Sequence, residues 1–438
     1  MARRRRREPE VAHIRGVTHD GKGIADLPGK TVFVAGALTG EEVEFIRRKS
    51  RRNFDEAELL EVRQASPERI EPKCDAFGRC GGCALQHISD DEQRTGKSQV
   101  LADNLQRIGR VEPKTWLEPL TADAWHYRRR ARLAVKDVPG KGRVLVGFRE
   151  RSAPYITDMH RCEVLAEPIA SLIDPLSDFV GTLSIRSRLP QIEVAVGDNE
   201  SALVFRVLDP ASDADLEQFR KFGEQYGLQI WLQPGGLDSL YCVYPEKPAK
   251  LHYRLDAFDV TVEFSPVGFV QINADINRQM VERAVDLLET ESGDRVLDLY
   301  CGIGNFSLPL ARRSRTVLGI EGDAQLVAAA NDNASLNDCA NAEFRVTDLS
   351  KISGDEPWIQ QGADRVLLDP ARSGAAEVVA HMPKIGAKRV VYVSCHPGTL
   401  ARDAGIMVNE HGYSLEAAGI IDMFPHTAHV ESIAVFNK

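Results

Sequence analysis

The run RVVYVSCHPGTLARD, residues 389–403, places a strand-like apolar segment directly before a thiol, Cys395, and follows it with a proline and a glycine that no strand interior accommodates. A cysteine at the lip of a strand is open to chemistry. A free thiol has a pKa of ~8.5, so a small fraction is thiolate at neutral pH, and that form is a strong nucleophile. Taken by itself, the sequence around Cys395 reads more readily as a small buried side chain. Two acids change the balance. In LLDPARSG, Asp369 stands before Pro370, which ends ladder bonding and turns the chain, leaving the carboxyl at the mouth of a neighbouring strand. In HTAHVES, Glu431 opens a final strand-like run; beside a thiol it is a candidate general base.

A cofactor site is written nearby. DLYCGIGNFSLPLA, residues 298–311, is a strand ending in an acid, then a glycine-rich turn, then a helix start. Gly302 and Gly304 let backbone approach a ligand closely. A pyrophosphate-binding turn would carry a third glycine where this chain has Ser307, which disfavours a nicotinamide dehydrogenase. The next strand-like runs end in Glu321, suited to the two hydroxyls of a ribose, and Asp348, suited to an adenine amine. Acids around a nucleoside, with no basic residue to grip phosphate, favour a cationic cofactor, S-adenosylmethionine. Singly, each acid is as readily a helix cap.

Cys74, Cys80 and Cys83 crowd into ten residues, with Cys162 far downstream as a possible fourth ligand. Cysteines of an intracellular chain more often bind metal or catalyse than form disulfides. The C-x5-C-x2-C spacing leaves zinc and an iron-sulfur cluster about equally open.

The elements that must position these residues change character along the chain. Short alternating runs broken by glycine from about Val11 to Val62 predict a small five-stranded antiparallel barrel. Pro67 and Pro72 suggest a linker, and residues 96–108 a helix. Strand-like runs between about 126 and 262 predict a second, mixed domain. After Phe264 helical and strand-like stretches alternate, beginning with a helix over 274–290, so the fold class is α/β with a parallel sheet covered on both faces. Ligands of such sheets bind beyond the carboxyl ends of the strands, where these acids and Cys395 fall.

The net charge of −9 would ordinarily argue against a nucleic-acid partner, yet residues 1–52 hold 13 Lys and Arg against 7 Asp and Glu. ARRRRRE and RRKSRRN are therefore candidate phosphate contacts, or else a solvated tail and loop. No run reaches the ~18 apolar residues of a membrane span, and the basic start lacks the apolar segment of a secretory signal. A cytoplasmic monomer is expected.

DLYCGIGNFSLPLA, GIEGD, LLDPARSG, YVSCHPGTLARD and FPHTAHVE together resemble the bacterial RNA uracil-5-methyltransferases. The front of the chain resembles the branch acting on 23S ribosomal RNA. The resemblance covers nearly the whole chain. It implies a Rossmann-like class I methyltransferase domain over 266–438, an OB-like β-barrel of the TRAM kind with its basic tail over 1–70, and a mixed α+β central domain over 71–265. It also implies a [4Fe-4S] cluster on Cys74, Cys80, Cys83 and Cys162, and S-adenosyl-L-methionine against Gln271, Tyr300, Asn305, Glu321, Asp348 and Asp369. Cys395 would add to C6 of uracil and Glu431 would remove the C5 proton, while Phe269 lines the pocket near the base. Rival readings are a sister specificity, another 23S uracil or tRNA uracil 54, and an RNA-binding protein with a dead methyltransferase fold. Two departures stand out: Ala371 where the family usually has proline, and His396 where it has asparagine.

Overall fold

The computed structural model describes residues 8–18, 20–151 and 153–438, so the arginines Arg3 to Arg7 lie outside the described residues. The chain divides into two compact units. One is Met1–Lys97 with Phe148–Thr157 and Phe424–Ala428; the other is Ser98–Gly147, Asp158–Met423 and His429–Lys438.

In the first unit six strands, β1 (Glu10–His13), β2 (Gly16–Val17), β3 (Lys22–Leu27), β4 (Lys30–Ala35), β5 (Glu42–Ser50) and β6 (Phe54–Gln64), pair in the order β1-β5-β6-β4-β3-β2. β1 and β2 are two halves of one strand bent at Ile14 and Arg15, so the two ends of the ladder meet on the same piece of chain and the sheet closes. Ile14, Val32, Val34, Val43 and Phe45 fill it. One pairing departs from the antiparallel expectation. β4 and β6 run parallel, because β5 lies between β1 and β6 rather than beside β4.

The basic run on β5 is largely spent inside this barrel. Arg47 makes paired hydrogen bonds to Glu10, each 2.8 Å, and another to Asp55 at 2.7 Å; Arg48 reaches Glu58 at 2.5 Å. Arg51 and Arg52, in the turn after β5, are exposed.

The expected boundary after residue 70 is not where the structure divides. Ile70 donates its N–H to the His87 carbonyl at 3.1 Å, Ser89 to that of Glu68 at 3.0 Å, and Leu85 and Ile88 pack with Leu38 of the barrel. Pro67 and Pro72 stop the ladder, but the short cysteine segment cannot bury its own apolar residues and takes cover against the barrel. The helix expected over 96–108 begins at Asp90, where the Ser89 hydroxyl accepts the Glu92 N–H at 3.3 Å, and runs to Asn104.

The second unit joins the central region and the α/β region, so the expected boundary at 265 is crossed as well. After β7 (Thr115–Trp116), strands β8 (Arg130–Val138), β9 (Arg143–Gly147), β10 (Gln191–Val196), β11 (Ser201–Arg206), β12 (Leu228–Gln233) and β13 (Tyr241–Tyr244) form a mixed sheet in the order β13-β12-β11-β10-β8-β9. A hairpin, β14 (Leu251–Leu255) and β15 (Val260–Phe264), follows. It is held by the helix Ala324–Leu336 and its cap, where Asn337 and Asn333 accept the N–H groups of Thr261 and Glu263 at 2.8 and 2.9 Å.

The large sheet contains β16 (Arg295–Leu299), β17 (Thr316–Glu321), β18 (Ala342–Val346), β19 (Arg365–Leu368), β20 (Arg389–Ser394), β21 (Ser414–Ile421) and β22 (Glu431–Asn437), ordered β18-β17-β16-β19-β20-β22-β21-β7. β16 to β20 are parallel and β22 is antiparallel to both neighbours. Their near-continuous apolar runs are buried on both faces, with Leu297, Val366, Val390, Ala434 and Phe436 fully enclosed. Strand order reverses between β16 and β19, which opens a crevice at their carboxyl ends. β7, which pairs parallel to β21 at the edge, has too little pattern to be read from sequence.

Candidate active site

The turn after β16 is built to approach a ligand. Tyr300, Gly302 and Gly304 all adopt left-handed backbone, at φ +68°, +54° and +94°. A Cβ on Gly302 would meet open space, so the loop leaves room over it. Tyr300 in this conformation carries the strain common at functional turns, and its N–H is fixed to the Ile320 carbonyl at 2.8 Å. Glu321 at the end of β17 accepts the N–H groups of Gly302, Gly322 and Asp323 at 3.2, 2.7 and 3.1 Å, which aims its carboxylate across the turn. Asp348, beyond β18, is exposed; hydrogen bonds from Lys351 and Ser350 hold it down at about 2, so it is ionised. Gln271 is half-buried just before the helix Ala274–Leu288, and Phe269 exposes 69% of its surface.

Asn305 is engaged by protein. Its Oδ1 accepts from the Tyr253 hydroxyl at 2.8 Å and Asn277 Nδ2 at 3.1 Å, and its Nδ2 donates to Asn277 Oδ1 at 2.9 Å. The sequence reading missed Tyr253 and Asn277. A signal existed for Asn277: it lies one turn after the cap Asn273, in a stripe otherwise made of Met280, Val281, Ala284 and Val285.

Deeper in the crevice the acids behave differently. Asp298 is fully buried and its Oδ2 accepts the Ser307 hydroxyl, tying β16 to the helix Ser307–Ala311. Burial pushes its pKa up to about 7, the Glu321 charge adding to the rise and the Ser307 hydrogen bond opposing it. Asp369 follows β19; burial first, then the Glu431 and Asp298 charges, push it well above the carboxylate range. The DPARSG loop behind it is braced by buried Asp403, which accepts the Ala375 N–H and the Tyr392 hydroxyl, each at 2.8 Å.

Cys395 directly follows β20 and is half-buried. Burial, then Glu431 and Asp369, push the thiol up to about 11, with Arg372 pulling the other way. In the resting protein it is a thiol. Glu431 opens β22, is buried, and lies 3.6 Å from His429 Nε2. The structure therefore brings Cys395, Glu431, Asp369 and Asp298 within electrostatic reach of one another. His396 turns out to act on the helix rather than the thiol. Its Nδ1 accepts the Thr399 N–H at 3.3 Å, capping the helix Pro397–Asn409, the task an asparagine would perform. Burial, then Arg372 and His429, lower its pKa, so the ring is neutral.

The cysteine segment lies in the first unit. Cys74 accepts the Phe77 N–H on its carbonyl at 2.9 Å, Cys80 Sγ accepts the Gly82 N–H at 3.4 Å, and Arg151 donates to the Cys83 carbonyl at 2.6 Å. Cys162 is buried in the second unit. Among the described residues no group of three or more His, Cys, Asp or Glu side chains is arranged to hold a metal ion. A backbone N–H on Cys80 Sγ is the kind of contact a cluster-bound sulfur accepts.

Fold and crevice together are those of an S-adenosylmethionine-dependent methyltransferase. The chain belongs to the family described as tRNA (Uracil-5-)-methyltransferase, whose pattern matches residues 91–356 and 358–438. Similar over their full lengths are proteins named 23S rRNA (uracil(1939)-C(5))-methyltransferase RlmD from Alkalilimnicola ehrlichii, 50% identical over 100% of this chain and 99% of the relative, and Stenotrophomonas maltophilia, 48% identical over 100% of both. Among solved structures, the tRNA (uracil-54, C5)-methyltransferase of Pyrococcus abyssi in complex with S-adenosyl-L-homocysteine superposes with a TM-score of 0.74 at 25% identity, covering 98% of this chain and 100% of that one.

Proposed function

We propose that this protein transfers a methyl group from S-adenosylmethionine to C5 of a uracil in 23S ribosomal RNA, the position named for its relatives being uracil 1939. The observation that carries the chemistry is Cys395 at the carboxyl end of β20, facing Glu431 and Asp369 across the crevice of a methyltransferase sheet. S-adenosylmethionine, when bound, supplies the methyl group and a positive charge among these carboxyls. Gln271, Tyr300, Asn305, Glu321, Asp348 and Asp369 are the residues to hold it.

C5 of uracil is a poor nucleophile until C6 is substituted. Cys395, pushed up to about 11 by burial and then by Glu431 and Asp369, must pass its proton to solvent as it attacks, and a cation beside those carboxyls would offset their part in holding the thiol protonated. Sγ would then bond to C6, the electron pair released toward O4 would make C5 nucleophilic, and C5 would take the methyl as the methyl–sulfur bond breaks and S-adenosylhomocysteine leaves. Glu431 takes the C5 proton, the C5–C6 double bond re-forms and the Cys395 thiolate leaves. Phe269, whose ring is exposed, would stack on a base turned out of the RNA.

The closed six-stranded barrel is read as the TRAM module, gripping phosphate through Arg51 and Arg52 rather than through Arg47 and Arg48, which already face carboxylates. A [4Fe-4S] cluster on Cys74, Cys80, Cys83 and Cys162 belongs to this reading, supported by the crowding of three thiols and the Gly82 N–H on Cys80 Sγ. It enters no step. The reading puts the enzyme in the cytoplasm as a monomer, and no helix among the described residues is long and apolar enough to cross a membrane.

Transfer of labelled methyl to unmodified 23S transcript and to tRNA, by the native chain and by Cys395→Ala, tests it. Label is expected on 23S RNA and at least about 10³-fold less with the variant. Label on tRNA alone overturns the substrate, and label unaffected by the substitution overturns the mechanism.

A further inference from the structure

We infer that Tyr253, Asn277 and Asp198 are positioning residues for the cofactor: they fix the amide of Asn305 so that it presents a hydrogen-bond donor, and only a donor, to S-adenosylmethionine. This rests on the reading of Asn305 as a cofactor contact. An asparagine side chain has two N–H donors and two acceptor lone pairs. Both lone pairs of Asn305 Oδ1 are taken, by the Tyr253 hydroxyl at 2.8 Å and Asn277 Nδ2 at 3.1 Å. One N–H goes to Asn277 Oδ1 at 2.9 Å. The remaining N–H is what the turn offers its ligand. The partner is therefore an acceptor atom of the cofactor, a carboxylate oxygen or an oxygen or ring nitrogen of the nucleoside, and not its ammonium or its exocyclic amine.

The two partners are themselves fixed from the central sheet. Asp198, in the turn between β10 and β11, accepts the N–H of Arg254 at 2.9 Å and the guanidinium of Arg278 at 3.1 and 2.9 Å. These are the residues immediately following Tyr253 and Asn277. Arg129 also donates to Asp198. One carboxylate thus holds the hairpin strand and the helix that present the two side chains, which makes cofactor binding depend on residues far from the glycine-rich turn in sequence. Tyr253 is 8% exposed and cannot touch bulk ligand, so its effect passes through Asn305.

Calorimetry of S-adenosylmethionine binding to the full chain, without RNA, tests this with Tyr253→Phe and Asp198→Asn. Removing the hydroxyl frees the amide pair to flip, and affinity is expected to fall about 3- to 10-fold, the value of one hydrogen bond. KM for S-adenosylmethionine should rise by the same factor, with kcat at saturating cofactor unchanged, a split that general destabilisation does not give. 5′-Methylthioadenosine, which lacks the methionine carboxylate, separates the two sources of acceptor: a smaller loss for it assigns the carboxylate, an equal loss the nucleoside. Unchanged affinity in both variants overturns the inference. Failure of the native chain to bind S-adenosylmethionine overturns instead the proposed function beneath it.

Discussion

The acids at the rim of the crevice and those on its floor are the same side chains put to opposite uses. At the rim, Asp348 is exposed, hydrogen-bonded by Lys351, and held at about 2. On the floor, Asp298 sits at about 7, Asp369 is pushed well up, and both, with Glu431, act on one another or on Cys395. Solvent and a cationic neighbour stabilise charge at the rim; burial and like charge oppose it on the floor. On the proposed mechanism the difference separates labour: the rim would offer fixed charge to a cationic ligand, and the floor would hold protons beside a nucleophile that has to lose one and a base that has to gain one.

The comparison breaks most visibly at Glu431. Glu431→Gln should lower turnover about 10²- to 10⁴-fold while addition and methyl transfer still occur. A covalent protein–RNA complex carrying the label should accumulate, seen as a denaturant-stable band, and its absence would remove Glu431 from the proton-abstraction step. In the same variant the thiol should titrate lower, since one of the charges holding it up is gone.

Asp298 tests the floor as a stability effect. Its folded pKa lies above its unfolded one, so below about pH 4 both states hold the proton and nothing is gained or lost. Between about pH 4 and 7 the unfolded chain releases the proton while the folded chain keeps it, and stability falls with rising pH. Asp298→Asn, which keeps an acceptor for Ser307, should remove that decline and gain on the order of 2 kcal/mol over the native chain near pH 8, with little difference near pH 4. Denaturant melts at the two pH values measure it; equal gains at both would mean the carboxyl is not protonated in the fold.

The smallest effect belongs to the rim. Asp348→Asn should raise KM for S-adenosylmethionine only about 2- to 5-fold, because an exposed hydrogen bond to a carboxylate is worth little more. That factor should be the same at about pH 5 and pH 8, as a group near 2 stays ionised throughout. A factor that grows with pH would move Asp348 from the rim to the floor.

The placement of Asp369 and Cys395 at strand ends was legible because strand ends are local features. An apolar run, a turn residue and an acid, as in LLDPARSG or YVSCHPG, mark the carboxyl end of a strand without knowledge of the rest of the chain. The helix at Ala274–Leu288 was legible for the same reason, from its apolar spacing. The unit boundaries were not, because Pro67 and Pro72 announce a break in the ladder and not what the next segment packs against. His396 looked like a modifier of the nucleophile because it is adjacent in sequence, yet its Nδ1 turns to the helix it caps. Arg47 and Arg48 looked like phosphate contacts, and the partners that occupy them, Glu10, Asp55 and Glu58, come from other strands.

The amino-acid sequence thus determined the parallel α/β architecture that sets Cys395 and the acids at strand ends, and the family, since residue type, periodicity and turn composition act over a few neighbouring positions. Protonation, pairing and orientation were decided only by the tertiary structure. Asp298, Asp369, Cys395 and Glu431, or Asp198, Tyr253, Asn277 and Asn305, are distant along the chain, and the charge on a carboxyl or the face an amide presents depends on what lies within a few ångströms of it in space.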